Sequence, residues 1–230
     1  MTRGPGAGAS AGAAPPAAGS LAAASTPAGR VAEVLRDAGA IAIPGALEAA
    51  RCAHLIAEMR TMAAVETRPI SPETMRREHD PEFVQSQTLV PTPCAHAAVT
   101  SVICERLSTL EGFFDEPLEL NSELHFLIYG PGGFIRPHCD VLDGEHVLEK
   151  IRERLVVFTI FLNDDFEGGE LALLPGFPRP PLVVDASPGT MVAFPSDLAH
   201  AVRTVTAGRR HSITGWFRAP GPDKQPRRKQ

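Results

Sequence analysis

The chain has 230 residues and a formal net charge of −5, with 22 basic and 27 acidic side chains interspersed along it. That balance provides no electrostatic footprint for nucleic acid or an anionic membrane surface as a partner. The four cysteines show neither CxxC pairing nor dense spacing. They therefore exclude a disulfide framework and a thiolate zinc site, and read as buried small apolar residues in a reducing compartment.

Residues 1–28 are Ala, Gly, Pro and Ser with almost no large apolar side chains. Such a segment cannot bury a core and lacks the apolar stretch of a signal peptide, so a disordered tail is expected. Residues 220–230, with Arg227-Arg228-Lys229, are expected to be a solvated basic tail. The stretch between them, about 190 residues, suits one domain with a single sizeable core. We expect that domain over 29–219, helical over 29–115 and β-rich over 116–219. No stretch approaches the roughly twenty apolar residues that a membrane span needs, so a soluble, cytoplasmic protein is expected.

Val31, Val34 and Leu35 recur at helical spacing, Gly39 marks a stop, and a short apolar run covers 40–43. After Pro44-Gly45 a second helix carries Leu47, Cys52, Leu55, Ile56 and Met59 on one side. Residues 67–91 are polar and irregular, with Glu73, Arg76, Arg77, Glu78 and Asp80 close together, and predict a loop bordering the mouth of a site. A third helix is predicted over 94–114, with Val99, Val102, Ile103, Leu107 and Leu110 forming its buried stripe.

From Leu118 the period changes. Short apolar runs at 124–129, 134–138, 155–162, 171–174, 182–184, 190–194 and 212–217 are separated by turns such as Gly132-Gly133 and Gly168-Gly169. Many short strands with no helices between them predict a mainly β fold with flanking helices, a double-stranded β-helix or jelly-roll. A polar insert over 142–154, with Glu145 and Glu149, reads as a surface loop.

The chemistry concentrates in this β region. In a strand, residues i and i+2 share a side, so His138 and Asp140 face one way and Cys139 the other. His200 follows the predicted strand at 190–195, which a jelly-roll can bring beside the first. Two imidazoles and one carboxylate on one face leave coordination positions open on non-haem Fe(II). The same set also suits zinc with a bound water.

Arg210, Ser212, Thr214 and Trp216 share one face if their segment is extended, while Arg209 points to solvent. A guanidinium fork matches a carboxylate, and a hydroxyl two residues on adds a hydrogen bond to it. His125 and Tyr129 share a strand face with Glu123 and Leu127, which directs His125 toward the same cavity. Arg136 and Thr159, with Phe134 and Val157, are further candidates for a substrate pocket. His54, His79, His96, His146 and His211 lack a partner pattern and read as structural or exposed.

The stretch from about Glu123 to Phe217 resembles the Fe(II)/2-oxoglutarate-dependent dioxygenases of the prolyl 4-hydroxylase-like type. The resemblance is carried by Tyr129-Gly130-Pro131-Gly132-Gly133, His138-Cys139-Asp140, the run from Leu162 to Leu171, Pro188-Gly189-Thr190, Phe194-Pro195, and the run from His200 to Trp216. It implies a jelly-roll that uses Fe(II), 2-oxoglutarate and dioxygen to hydroxylate an unactivated C–H bond, releasing succinate and carbon dioxide, with ascorbate as a candidate reductant. It implies His138, Asp140 and His200 as iron ligands, Arg210 and Ser212 as partners of the distal carboxylate of 2-oxoglutarate, and Tyr129 as a lining residue of that pocket. Ile135 and Phe161 stand where several prolyl hydroxylases carry tyrosines. Asp140 argues against the halogenating branch, which has a small residue there. The substrate is open among an amino acid, a small natural product and a peptidyl residue such as proline. The rival readings are a cupin-like binder, which would show His-x-His with a following Glu, and a zinc hydrolase, which has no need of Arg210.

Overall fold

A computed structural model of the chain describes residues 35–71, 74–142, 147–176, 178–184 and 187–221. The tail expected at 1–28, Val31 and Val34, Glu73, Glu145, His146 and the basic triplet near the C-terminus lie outside the described residues.

The described elements run β1 (Ile41–Ile43), α1 (Ala49–Met59), β2 (Ala64–Glu66), β3 (Val84–Gln85), β4 (Gln87–Leu89), α2 (Pro93–Glu105), α3 (Leu107–Phe114), β5 (Glu119–Leu120), β6 (His125–Tyr129) and β7 (Phe134–His138). They continue with α4 (Glu149–Arg152), β8 (Arg154–Phe161), β9 (Phe166–Gly168), β10 (Leu171–Leu174), β11 (Leu182–Val184), β12 (Met191–Pro195), β13 (Ala199–Val202), β14 (Val205–Gly208) and β15 (Arg210–Arg218).

The strands form two main sheets. The larger has the order β1-β12-β8-β15-β6-β4-β2, with β5 added beside β15; the smaller has the order β11-β10-β13-β7-β3. Every described pairing within them is antiparallel. The result is the expected jelly-roll with flanking helices.

Strand alternation builds two layers. Along β8, Val156, Phe158 and Ile160 face the helices and join Leu55, Met59, Val99, Ile103 and Leu110 in one core. The alternate residues Val157 and Phe161 face inward and pack with Leu171, Leu173, Val192, Phe194 and Trp216 between the sheets. Leu127, Tyr129, Val202 and Val205 form a third cluster at the other end of that interior.

Several expectations from sequence are corrected. The helix expected over 94–114 is two helices, because Arg106 at φ −95° and ψ −4° interrupts the ladder. The segment 67–91, expected to be a loop, contains β3 and β4, which pair with β7 and β6 and so tie it into both sheets. Its polar composition hid them, since each strand is only two or three residues long. A short helix, α4, lies in the 142–154 insert, pinned by buried Ile151. Of the cysteines only Cys52 is buried; Cys94 and Cys104 are exposed and Cys139 is half-buried, and all four are free. Cys94 and Cys104 fall off the Ala95, Val99, Ile103 stripe of α2, so the helix leaves them at the surface.

Among the described residues no helix is long and apolar enough to cross a membrane.

Candidate metal and anion site

His138 ends β7 and His200 lies on β13, and the two are direct partners in the ladder between those strands. His200 therefore sits on its own strand of the smaller sheet, while the 191–195 strand that precedes it pairs with β8 in the larger one. Asp140 lies just past β7 rather than within it. Its place is held by its own N–H, which donates to the Ser196 carbonyl at 2.8 Å, and by Arg154 Nη1, which donates to the Asp140 carbonyl at 3.2 Å.

These residues bring their ligand atoms together. His138 Nε2 lies 3.8 Å from Asp140 Oδ1, and His200 Nε2 lies 3.5 Å from Asp140 Oδ2. All three groups offer atoms within 4.8 Å of one another. Each histidine has the carbonyl two residues upstream beside its Nδ1, Arg136 O at 2.8 Å and Leu198 O at 3.0 Å. Donation of Nδ1–H to those carbonyls fixes the tautomer whose Nε2 lone pair points at the cluster, as a metal ligand requires. Phe83 and Phe194 pack edge-on against His138 and His200 and hold the ring planes. Burial alone would raise the Asp140 carboxyl, but His200, His138, Arg154 and the nearby Trp216 indole together hold it below the usual carboxylate value. Burial lowers the His200 imidazole, favouring its neutral form.

The cluster opens into a cavity of about 600 Å³ between the two sheets. Arg210 lies at another point of its wall. Its side chain is 1% exposed. Nη1 donates to Ser212 Oγ at 2.7 Å, while Nε and Nη2 are buried with no hydrogen-bond partner among the described residues. The guanidinium also lies 5.2 Å from the Tyr129 ring centroid and 4.9 Å from that of Phe161. Burial disfavours its charged form. A cation held dry with unspent donors is costly unless an anion completes it.

Other sequence candidates divide. Tyr129, His125 and Thr159 line the cavity, as does Ile135. His125 Nε2 lies 3.2 Å from Glu123 Oε1, its ring packs edge-on against Trp216, and Thr159 shares a 2.7 Å hydrogen bond with Thr214. Arg136 and Phe134 are not among the lining residues; Arg136 is exposed, with Nε donating to the Glu82 carbonyl. The cause is a bulge. His200 faces His138 but Val202 faces Ile135, so three steps on β7 match two on β13 and the alternation slips at Arg136-Pro137. Pro137 cannot donate to a ladder and suits that position.

Arg154 was missed from sequence for the same reason. Arg218 pairs with Arg154 and Phe217 with Val156, a second irregularity, which turns Arg154 inward and leaves Leu155 exposed. Its guanidinium lies 3.8 Å above the Trp216 ring and lines the cavity. Arg77 and His79 of the 67–80 segment line it too.

Comparison with known proteins agrees with this geometry. Residues 124–218 match the family profile described as 2OG-Fe(II) oxygenase superfamily. A PKHD-type hydroxylase from Picosynechococcus sp. is 36% identical over 106 residues, 45% of this chain and 45% of that protein. The chain thus aligns with less than half the length of that curated relative. Among solved structures, a Pseudomonas putida prolyl-4-hydroxylase superposes with a TM-score of 0.60 at 23% identity, over 83% of this chain and 100% of that one. A Trichoplax adhaerens prolyl hydroxylase, in complex with a hypoxia inducible factor peptide fragment, gives 0.63 at 17% identity over 82% and 87%. At these identities the structures establish the shared fold.

Proposed function

We propose, from the match of residues 124–218 to the 2OG-Fe(II) oxygenase superfamily and the likeness to PKHD-type and prolyl hydroxylases, that the protein is a prolyl 4-hydroxylase-like, Fe(II)- and 2-oxoglutarate-dependent hydroxylase. His138, Asp140 and His200 hold the iron, and Arg210, with Ser212 and Tyr129 beside it, receives the distal carboxylate of 2-oxoglutarate. The observation that carries the reading is the buried Arg210 guanidinium, with Nε and Nη2 unspent, in the wall of the same cavity as the three-ligand cluster. A hydrolytic zinc site or a cupin-like binder has no use for such a cation.

The donor set fits the metal. Two imidazoles and one carboxylate converge at the wall of the cavity, the donor set of non-haem Fe(II) oxygenase sites. Iron bound there supplies dioxygen activation, in which 2-oxoglutarate is oxidised to succinate and carbon dioxide while a substrate C–H becomes C–OH. The chain's residues do the rest. Arg210 and Ser212 orient the co-substrate, Ile135 and Phe161 present apolar faces where a hydroxyl could stand, and Phe83 and Phe194 keep water from the imidazoles' flanks. Arg210 serves as an anchor and moves no proton.

The substrate is a small molecule or a peptide segment that reaches the cavity past Arg77 and His79, and His125, Thr159 and Arg154 are the side chains that meet it. Ascorbate fits as a reductant for iron. The whole of 29–219 acts as one catalytic domain, supported by the packing of α1 and α2 on the larger sheet. Four free thiols support a reducing, cytoplasmic setting. The test is succinate release from 2-oxoglutarate by iron-loaded protein, which should occur slowly without substrate and rise when a substrate is supplied. Its absence from a protein with bound iron, across amino acids and proline-containing peptides, would reject the hydroxylase.

A further inference from the structure

We propose that Asn163 is a positioning residue for Arg210, acting through the backbone on both sides of it; this rests on the reading of Arg210 as the carboxylate anchor. The ladder between β8 and β15 ends at Ser212 opposite Phe161, with one more bond from the Leu162 N–H to the His211 carbonyl at 3.0 Å. Beyond that point β8 has ended, while β15 continues to Arg210, which pairs with Tyr129 of β6 on its other side. The peptide groups flanking Arg210 thus lack a strand on the β8 side.

The Asn163 carboxamide stands in for that strand. Its Oδ1 accepts from the His211 N–H at 2.7 Å, and its Nδ2 donates to the Arg209 carbonyl at 2.7 Å. A carboxamide carries one acceptor and donors in a plane, as a peptide group does, so it adds one rung to the ladder. Asn163 is itself buried, and Asp165 Oδ1 accepts from the same Nδ2, which sets the amide's orientation. Arg210 is therefore clamped between Tyr129 on β6 and a side-chain rung from the turn after β8.

The clamp matters because, among the described residues, no carboxylate holds the guanidinium. With Nε and Nη2 unpartnered among the described residues, its position depends on where its backbone starts, on the Nη1 hydrogen bond to Ser212 Oγ and on packing against Tyr129 and Phe161. A long side chain magnifies any rotation at its root, and misplacement of about 1 Å at a binding group can cost up to about a hundredfold. The two flanking groups, in part-buried surroundings, would also lose that partner if the rung were lost.

The experiment compares 2-oxoglutarate with 2-oxobutyrate, which shares the 2-oxo acid end but lacks the distal carboxylate. Affinities are measured without dioxygen on Fe(II)-loaded protein, by calorimetry or by fluorescence of Trp216, the single tryptophan of the chain. Asn163→Ala is expected to weaken 2-oxoglutarate about tenfold, the effect of one lost buried hydrogen bond or slightly more, and to leave 2-oxobutyrate within about twofold. Asn163→Asp keeps the acceptor for His211 but sets a carboxylate oxygen against the Arg209 carbonyl and Asp165, and is expected to weaken 2-oxoglutarate at least as much. In an Arg210→Ala background, Asn163→Ala should add nothing. Equal weakening of both acids, or unchanged 2-oxoglutarate affinity in folded variants, overturns the proposal; if Asn163→Ala does not fold, the Asp variant decides by the same ratio. A wild-type protein that binds both acids equally would instead remove the anchor role of Arg210, and this inference with it.

Discussion

His200 stands directly opposite His138 across the β13·β7 ladder, with imidazole centroids 4.3 Å apart. A ladder pair needs no loop to set its spacing, so two of the three candidate metal ligands are placed by the sheet itself. Replacing either histidine by alanine should leave the sheet intact and weaken Fe(II) binding by more than about a hundredfold, beyond the range for outer-sphere partners. Metal titration with unchanged far-ultraviolet circular dichroism checks this.

Arg210→Met should raise the stability of the ligand-free protein by about 1 kcal/mol or more, because an uncompensated buried cation gives way to an apolar chain of similar length. In the wild type, 2-oxoglutarate at a hundred times its dissociation constant should add about 2.7 kcal/mol, and in the variant at the same concentration almost nothing. Denaturant midpoints with and without 2-oxoglutarate separate the two effects.

Gly189 joins the sheets to the helical layer. Its N–H donates to the Phe161 carbonyl at 2.7 Å and its carbonyl accepts from the Leu47 N–H at 3.0 Å. With φ at +82° and a Cβ that would lie 1.9 Å from Leu47 O, alanine cannot be seated there without moving backbone. Gly189→Ala should cost about 2–4 kcal/mol, read from thermal or denaturant unfolding.

Glu123 ties three elements at the cavity rim. Its Oε1 accepts from Arg77 Nη2 at 2.7 Å and lies 3.2 Å from His125 Nε2, and its Oε2 is 3.5 Å from Lys150 Nζ. The hydrogen bond to His125, with the charges of His125, Lys150 and Arg77, outweighs burial and lowers its carboxyl from 4.5 to about 2. A carboxyl with a depressed folded value stabilises the fold fully above its unfolded value and loses that contribution as pH falls through the folded one. The stability difference between wild type and Glu123→Gln should therefore stay constant above about pH 5 and shrink between pH 4.5 and about 2. A difference that does not change over that window would contradict the role given to Glu123.

The jelly-roll, and much of what lines its cavity, was legible because it depends on local pattern. Strand alternation placed Tyr129, His125, Thr159 and Val157 toward one interior, and the spacing of Arg210 and Ser212 set both on the inner side of β15. What sequence did not show follows from the two bulges. Counting by twos along β7 carries Arg136 inward, and counting back from Val157 carries Arg154 outward; the structure reverses both because each strand gains one unpaired residue. No residue type announces such a slip, although Pro137 is a quiet marker of the first. Strands β3 and β4 escaped notice because two or three polar residues carry no period. The rung supplied by Asn163 is a tertiary contact between a turn and a strand end, visible only once both are placed.

If one cavity holds Fe(II) on His138, Asp140 and His200 and a 2-oxo dicarboxylate on Arg210, metal and co-substrate form a single chelate there. The most direct measurement adds Fe(II), then 2-oxoglutarate, to metal-free protein without dioxygen and follows the visible charge-transfer band of the chelate. The expected band needs both additions, is absent in His138→Ala, and in Arg210→Ala requires far more 2-oxoglutarate. A folded, iron-loaded wild-type protein that develops no band would contradict that arrangement.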